Sequence, residues 1–400
     1  MTSLTLTGIG QLVTNASGDP GDLGVIHEAA VAVVDGRIAW VGPEARLPKE
    51  HREVELLDCE GRAVLPGFVD AHTHLVFAGD RSEEFARRLR GESYEEILAA
   101  GGGIHATVAA TRMASTTELA DGAVARLGRM LASGTTTAEV KSGYGLTTAD
   151  ELRILEAAEE AGRRSPVDVV PTFLGAHVPD KGVDRAEYVD LVIDEMLPAC
   201  APLAQWCDVF CDRGAFTVDD ARRILTAGKD HGLGARLHAE QLTHTGAAAL
   251  AADIGAASAD HLDHATEDDA ALLRGSGVVA VLLPAASFSM RSPQAPGRML
   301  WDSGVKVAVA TDCNPGTSNV ESMPFVIAVA CLEMGLTPEE AVWAATRGGA
   351  LALRLEDRGM LVPGALADLV ILDAPSYTQL PYRPGSNLVW KVVKGGEVVA

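Results

Sequence analysis

A chain of 400 residues exceeds what one hydrophobic core usually organises, and 47% hydrophobic with 22% charged residues fits a soluble globular protein with one large domain and a smaller appendage. The formal charge of −22 at pH 7 argues against nucleic acid or an anionic membrane surface as a partner, because both would repel it. An anionic small-molecule substrate would need fixed local cations to overcome the same field.

The first residues, Met1 to Thr5, have neither a basic nor an apolar leader segment, and no later stretch reaches 18 apolar residues without a polar break. A cytoplasmic address is expected. The six cysteines (Cys59, Cys200, Cys207, Cys211, Cys313 and Cys331) are scattered and lack C-x-x-C spacing, which reads as reduced thiols, with Cys207 and Cys211 as core residues rather than ligands. Residues 1–63 read as β-structure, including two apolar arms over 32–40 around an Asp35-Gly36 hairpin signal. These strands are too few to close a domain. The tail supplies partners at 367–372, 389–393 and 398–399, so 1–63 and 361–400 are expected to combine into one small β-sandwich domain, with 64–360 inserted between them.

The inserted region alternates apolar runs with amphipathic helical stretches. The runs are 68–71, 135–140, 167–173, 208–210, 235–237, 257–259, 278–282 and 305–310. A helix between them is signalled by Thr217 as N-cap, early acids and Gly232 as a stop. Eight βα units predict a (β/α)8 TIM-type barrel whose active site lies at the C-terminal ends of the strands. Gly101 to Gly103 breaks a helical pattern and is expected to mark a loop over the barrel mouth.

Chemistry-bearing residues fall at those strand ends. His72 and His74 close the first strand, and residues i and i+2 of a strand share a face, so both can reach one ion. The fifth strand ends in His238, the sixth in His261 and the eighth in Asp312. Strand ends meet around one barrel axis, which makes His72, His74, His238 and Asp312 a ligand set. Three imidazoles and a carboxylate suit a borderline metal such as zinc, with iron or manganese less determined by ligand type. Such an ion lowers the pKa of a water towards about 7 and polarises a carbonyl, the two effects a hydrolytic attack needs. Asp312 is placed to accept the water's proton, and His261 to stabilise an oxyanion or move a proton.

Several stretches carry a resemblance: residues 66–81 with His72-Thr73-His74 and Arg81, Ser142-Gly143-Tyr144-Gly145-Leu146, residues 173–177 ending in His177, residues 237–241 with His238 and Gln241, residues 258–262, and residues 311–317 from Thr311-Asp312 to Thr317. Over nearly its whole length the chain resembles the amidohydrolase superfamily, and within it the members that open the ring of 4-imidazolone-5-propanoate. That resemblance implies hydrolysis of the cyclic amide to N-formimino-L-glutamate in histidine breakdown, one divalent or trivalent metal ion (zinc or iron), and a homodimer. It also implies that Arg81, Tyr144 and His177 contact substrate, that Gln241 and Thr317 contact the ring end, and that Asn314 and Gly316 contact product or backbone-like groups. A propanoate in so acidic a protein needs a fixed cation, and Arg81 offers a bidentate fork that a lysine does not.

Two-metal members of the superfamily use a carboxylated lysine or a glutamate at the fourth strand end. Residues 208–212 contain neither, and Lys141 closes the second strand, so the site reads as mononuclear. Mononuclear deaminases are the alternative. They carry a proton-shuttling glutamate three residues after the fifth-strand histidine, where this chain has Gln241; Glu240 would serve only if the strand bends. A non-catalytic assembly subunit, a third reading, predicts missing ligands, and all are present. His27 and His51 read as surface groups and His231, His244 and His264 as solvated. His105 is placed near the site, and Cys313 is expected to point away from the metal.

Overall fold

In the computed structural model, residues 3–92, 96 and 101–400 are described; Met1 and Thr2, part of the stretch read for a leader, lie outside them. Strand β1 (Ser3–Leu12) buries Leu4 and Leu6 with strand periodicity and then Ile9 and Leu12, the shift falling where its register against β2 (Ile26–Val34) slips between Leu6 and Ile9. Gly8 makes this irregularity possible, with φ at 60° and a Cβ that would sit 2.3 Å from Asp58 Oδ1. β2 turns into β3 (Arg37–Pro43) through Asp35 and Gly36, both left-handed at φ 48° and 77°, as a two-residue hairpin requires.

The expected joining of the two chain ends is present. β1 pairs in parallel with β4 (Glu55–Asp58) along its first half and with β5 (Ala63–Pro66) at Gln11 and Leu12. The C-terminal strand β14 (Leu369–Leu372) then lies antiparallel to β5, followed by β15 (Val389–Lys394) and β16 (Glu397–Val398). Because β4 and β5 share one edge of β1, this eight-stranded sheet branches there. Strands β1, β2, β5 and β14 bury side chains in one aliphatic core that includes Leu6, Ile9, Leu12, Val31, Val64, Leu369 and Ile371, with Leu57 of β4 packed at its edge.

The remaining eight strands are parallel neighbours in chain order: β6 (Phe68–Asp70), β7 (Thr135–Lys141), β8 (Asp168–Ala176), β9 (Trp206–Cys211), β10 (Gly234–Ala239), β11 (Ser258–His261), β12 (Val279–Leu282) and β13 (Val307–Val309). They fall on the eight runs read from the sequence, with helices between them, and form the expected (β/α)8 barrel. The helix Val218–Asp230 starts at a Thr217–Asp220 capping box. The seam between the last strand and the first closes just beyond their ends: Asp312 N donates to His72 O at 3.0 Å, and His74 N to Cys313 O at 3.0 Å. Below it, the Asp70 carboxylate accepts from Thr311 N at 3.0 Å and Thr311 Oγ1 at 2.6 Å. Residues 241 positions apart are thereby locked side by side, which sets Asp312 next to His72. All six cysteines are free, and no helix among the described residues is long and apolar enough to cross a membrane.

Candidate active site

Asp70, His72 and His74 follow one another at two-residue spacing, so the first strand and its extension present all three to the barrel interior, where they are buried. His74 Nε2 lies 3.2 Å from His72 Nε2 and 3.4 Å from His238 Nε2, while Asp312 Oδ1 stands 3.6 Å from His72 Nε2 and 3.5 Å from His74 Nε2. Donor atoms around a tetrahedral ion with bonds of 2.0–2.1 Å are separated by about 3.3–3.4 Å. The three imidazole nitrogens cluster as ligands of one ion would, and Asp312 stands at that spacing from two of them, His72 and His74. Their chemistry agrees: His72 Nδ1 is 2.7 Å from Asp260 Oδ2, which leaves the Nε2 lone pair turned to the centre. Burial holds His72 and His74 well below the ordinary histidine pKa, in the neutral form that ligates, and pushes the Asp312 carboxyl well above its ordinary value, a penalty that a bound cation relieves.

Beneath the histidines lies a fully buried charged layer. Lys141 Nζ donates to Glu139 Oε1 and Asp208 Oδ2, each at 2.7 Å, so the lysine is spent below the centre and offers it no ligand. Asp208 Oδ2 lies 3.0 Å from His238 Nδ1, and Asp208 Oδ1 accepts from His238 N at 3.2 Å. Arg236 Nη2 bridges Asp260 Oδ2 at 3.1 Å and Ala71 O at 2.7 Å. Burial alone would raise Asp208, but the adjoining His238 and Lys141 overcome it and hold the carboxyl well below its usual range. Sequence reasoning missed Asp208, Asp260 and Arg236 as supports. Their one signal was a charged residue inside a short apolar strand.

Three strand ends near the centre turn through left-handed backbone: Glu240 at φ 53°, His261 at 75° and Asp312 at 52°. Non-glycine residues are held there only by their surroundings. His261 stands beside the cluster, its ring 5.5 Å from that of His72 and 5.2 Å from that of His238. At Glu240 the bend left open by the sequence does occur, and it carries the carboxylate away. The side chain accepts from Thr245 N at 2.5 Å, Gly246 N at 3.0 Å and Ala248 N at 3.0 Å, capping the helix Ala247–Ile254. Gln241 follows, half-buried.

The pocket wall comes from loops on neighbouring strands. Glu151 accepts from Gly143 N at 2.8 Å and from Gly145 N and Leu146 N at 2.7 Å each, and so folds the Ser-Gly-Tyr-Gly-Leu loop. This brings Tyr144 within 5.4 Å of the His177 ring. His177 Nδ1 donates to Gly143 O at 3.0 Å, and its ring stacks on His74 at 5.0 Å with 19° between planes; burial lowers its pKa to about 3. Across the mouth, Asn314 Oδ1 accepts from Gly316 N and Thr317 N at 2.8 Å each, and Asn314 Nδ2 donates to Asp312 O at 2.7 Å. Thr317 Oγ1 approaches Asp312 Oδ2 at 3.4 Å. Arg81 packs on Gly316 and is gripped by Glu84, a partner the sequence did not reveal. Cys313 is buried in the apolar core, and burial pushes its thiol up. His105 is half-buried with Asp180 nearby, whereas His244 is exposed and bonded to Asp269.

Residues 63–399 match the model of the amidohydrolase family, and residues 29–53 match that of the bacterial imidazolonepropionase-like composite domain. Curated relatives named imidazolonepropionase include those of Salinispora arenicola (strain CNS-205), 54% identical over 99% of this chain and 98% of the relative, and Streptomyces coelicolor, 53% identical over 98% of each. Among solved structures, a zinc-bound adenosine deaminase from Xanthomonas campestris superposes with a TM-score of 0.74 at 21% identity, covering 99% of this chain and 92% of that one. A triazine hydrolase variant reaches 0.78 at 18% identity, covering 100% and 94%. At such identities these two structures speak for the fold alone.

Proposed function

The chain belongs to the amidohydrolase family and, within it, to the imidazolonepropionases, and on that premise we propose that it hydrolyses the cyclic amide of 4-imidazolone-5-propanoate to N-formimino-L-glutamate, a step of histidine breakdown. The observation that carries this reading to the site is the convergence of the His72, His74 and His238 Nε2 atoms with Asp312 beneath a mouth that bears Arg81, Tyr144 and His177.

His72, His74, His238 and Asp312 would hold one zinc or iron ion, which when bound supplies Lewis acidity towards a carbonyl oxygen and acidifies water. The chain's own groups do the rest. Water adds to the ring carbonyl carbon, the carbon–nitrogen bond breaks, and the nitrogen leaves with a proton. Asp312 takes the water's proton and returns it to that nitrogen; His261, on the adjoining wall, faces the developing oxyanion. Tyr144 and His177 bracket the ring, Gln241 and Thr317 contact its end, Asn314 and Gly316 shape the loop that receives the opened product, and Arg81 meets the propanoate. The deaminase alternative loses ground because Glu240, the remaining carboxylate near its shuttle position, is committed to helix amides.

The division into a barrel over 64–360 and a composite β-domain from 1–63 and 361–400 belongs to the same reading; what supports it is a second aliphatic cluster drawn almost wholly from the two end segments, while Val13, Leu23, Val370, Leu372 and Val392 pack into the barrel's own cluster and join the two parts. A cytoplasmic homodimer, which light scattering tests, and a mononuclear site belong to that reading too. The decisive experiment follows loss of the ring absorbance of imidazolonepropanoate with purified protein, before and after chelation. Turnover that chelation removes is expected; no turnover by metal-loaded protein, or release of ammonia instead of ring opening, overturns the assignment.

A further inference from the structure

Arg81 is less available to a substrate than its position implies. Its Nε donates to Glu84 Oε2 at 3.0 Å, its Nη2 to Glu84 Oε1, and Gly103 N also donates to Glu84 Oε2 at 2.9 Å. Both side chains are nearly enclosed, at 12% and 11% exposure, so Arg81 and Glu84 form a neutral pair with only Nη1 left over. That Nη1 lies on Gly316, where an added Cβ would come within 2.1 Å of it. A second anion brought to this pair would find one guanidinium already shared, within a chain of net charge −22.

Arg88 lies seven residues on, two turns along the helix Ser82–Leu89 and therefore on the same side as Arg81. It is half-buried. Its Nη2 is 3.4 Å from Gly316 O, and its Nη1 touches the Met290 sulfur at the end of the helix Pro284–Met290 that follows the seventh barrel strand. No carboxylate of the described residues lies within ion-pair distance of it, although Glu84 and Arg81 are close enough to bear on its charge. Two guanidinium groups thus flank one glycine of the Asp312 loop, the first neutralised and the second uncompensated among the described residues. A partly desolvated guanidinium with no carboxylate partner among the described residues, held only by a carbonyl and a thioether, is a receptor for an anion.

We propose that Arg88 is a substrate-binding residue, the second and uncompensated half of a two-arginine clamp over Gly316 that holds the carboxylate arm, with Glu84 acting as the brace that fixes Arg81. The proposal rests on the reading of the substrate as a propanoate. It accounts for the net positive charge needed at the mouth, which Arg81 alone does not provide.

The test compares a charged with an uncharged arm. KM and kcat for imidazolonepropanoate are measured with Arg88→Gln and Arg88→Lys, and calorimetry gives Kd for imidazole-4-propanoate and for the neutral imidazole-4-propanol. Arg88→Gln is expected to raise KM, and Kd for the propanoate, about tenfold or more, the loss of one charge-assisted contact. Its kcat stays within about twofold, the propanol is unaffected, and Arg88→Lys recovers part of the loss. An unchanged KM, or equal weakening of propanoate and propanol as a mere loop brace would give, overturns the clamp while wild-type turnover keeps the reaction standing. Absence of turnover by the wild type overturns the substrate reading and the clamp with it.

Discussion

In the terminal sheet, Leu6, Ile9, Leu12, Leu369 and Ile371 are buried against one another; in the barrel, directly beneath the histidines, Glu139, Lys141, Asp208, Arg236 and Asp260 are buried just as completely. The first core is aliphatic and contributes stability in proportion to the area it removes from water. The second gains little net stability, since desolvating five charged groups offsets most of their mutual attraction. What it gains is direction: Asp260 and Asp208 each stand against a histidine Nδ1, and Lys141 and Arg236 hold those carboxylates in place. One core holds the chain together and the other aims the His72 and His238 ring nitrogens at a point.

The contrast can be broken by substitution. The largest effect belongs above the ionic layer: Asp312→Asn, which removes the proton acceptor, is expected to lower kcat about 10²–10⁴-fold, whereas Leu6→Ala in the sheet leaves kcat nearly unchanged. Steady-state assays check both, and a comparable kcat loss from Leu6→Ala would show that the two cores are not separable. Next, Asp260→Asn should weaken metal binding about 10–100-fold by freeing His72, measured by competition with a chromogenic chelator. Unaltered affinity would reduce Asp260 to a packing residue.

On stability the two regions should respond alike in size for opposite reasons. Lys141→Met strands Glu139 and Asp208 and is expected to cost about 3–5 kcal/mol in urea unfolding. Leu6→Ala opens a cavity and costs about 2–5 kcal/mol. Replacing Glu139, Lys141 and Asp208 together with apolar residues should restore much of the first loss and none of the activity; an ionic layer built for stability would not recover.

The smallest effect is a pH dependence at the mouth. Burial raises the Asp263 carboxyl from 3.8 to about 7, against a Ser287 Oγ hydrogen bond at 3.2 Å. A carboxyl raised in the folded state destabilises as it is forced to ionise, so its penalty is absent below the unfolded pKa, grows between about 4 and 7, and is constant above. Asp263→Asn should therefore raise the urea midpoint at pH 8 more than at pH 5.5. A gain that does not vary with pH would assign the effect to packing.

Much of this architecture was legible in the sequence by itself. Alternating apolar runs, the Asp35-Gly36 turn and the Thr217 cap are local signals, each set by backbone sterics or by a neighbour within a few residues, and they placed all eight barrel strands and the union of the chain ends. Histidines at strand ends were legible for the same reason, since a barrel brings every strand's end to one rim whatever its place in the chain. The partners of those groups were decided only by the closed tertiary structure. Asp260 reaches His72 across 188 residues, Lys141 reaches Asp208 across 67, and Thr311 meets Asp70 across 241. A side chain's chemistry is written in its own residue, but the low-dielectric surroundings and the partner that set its charge and direction come into being only when distant strands pack together.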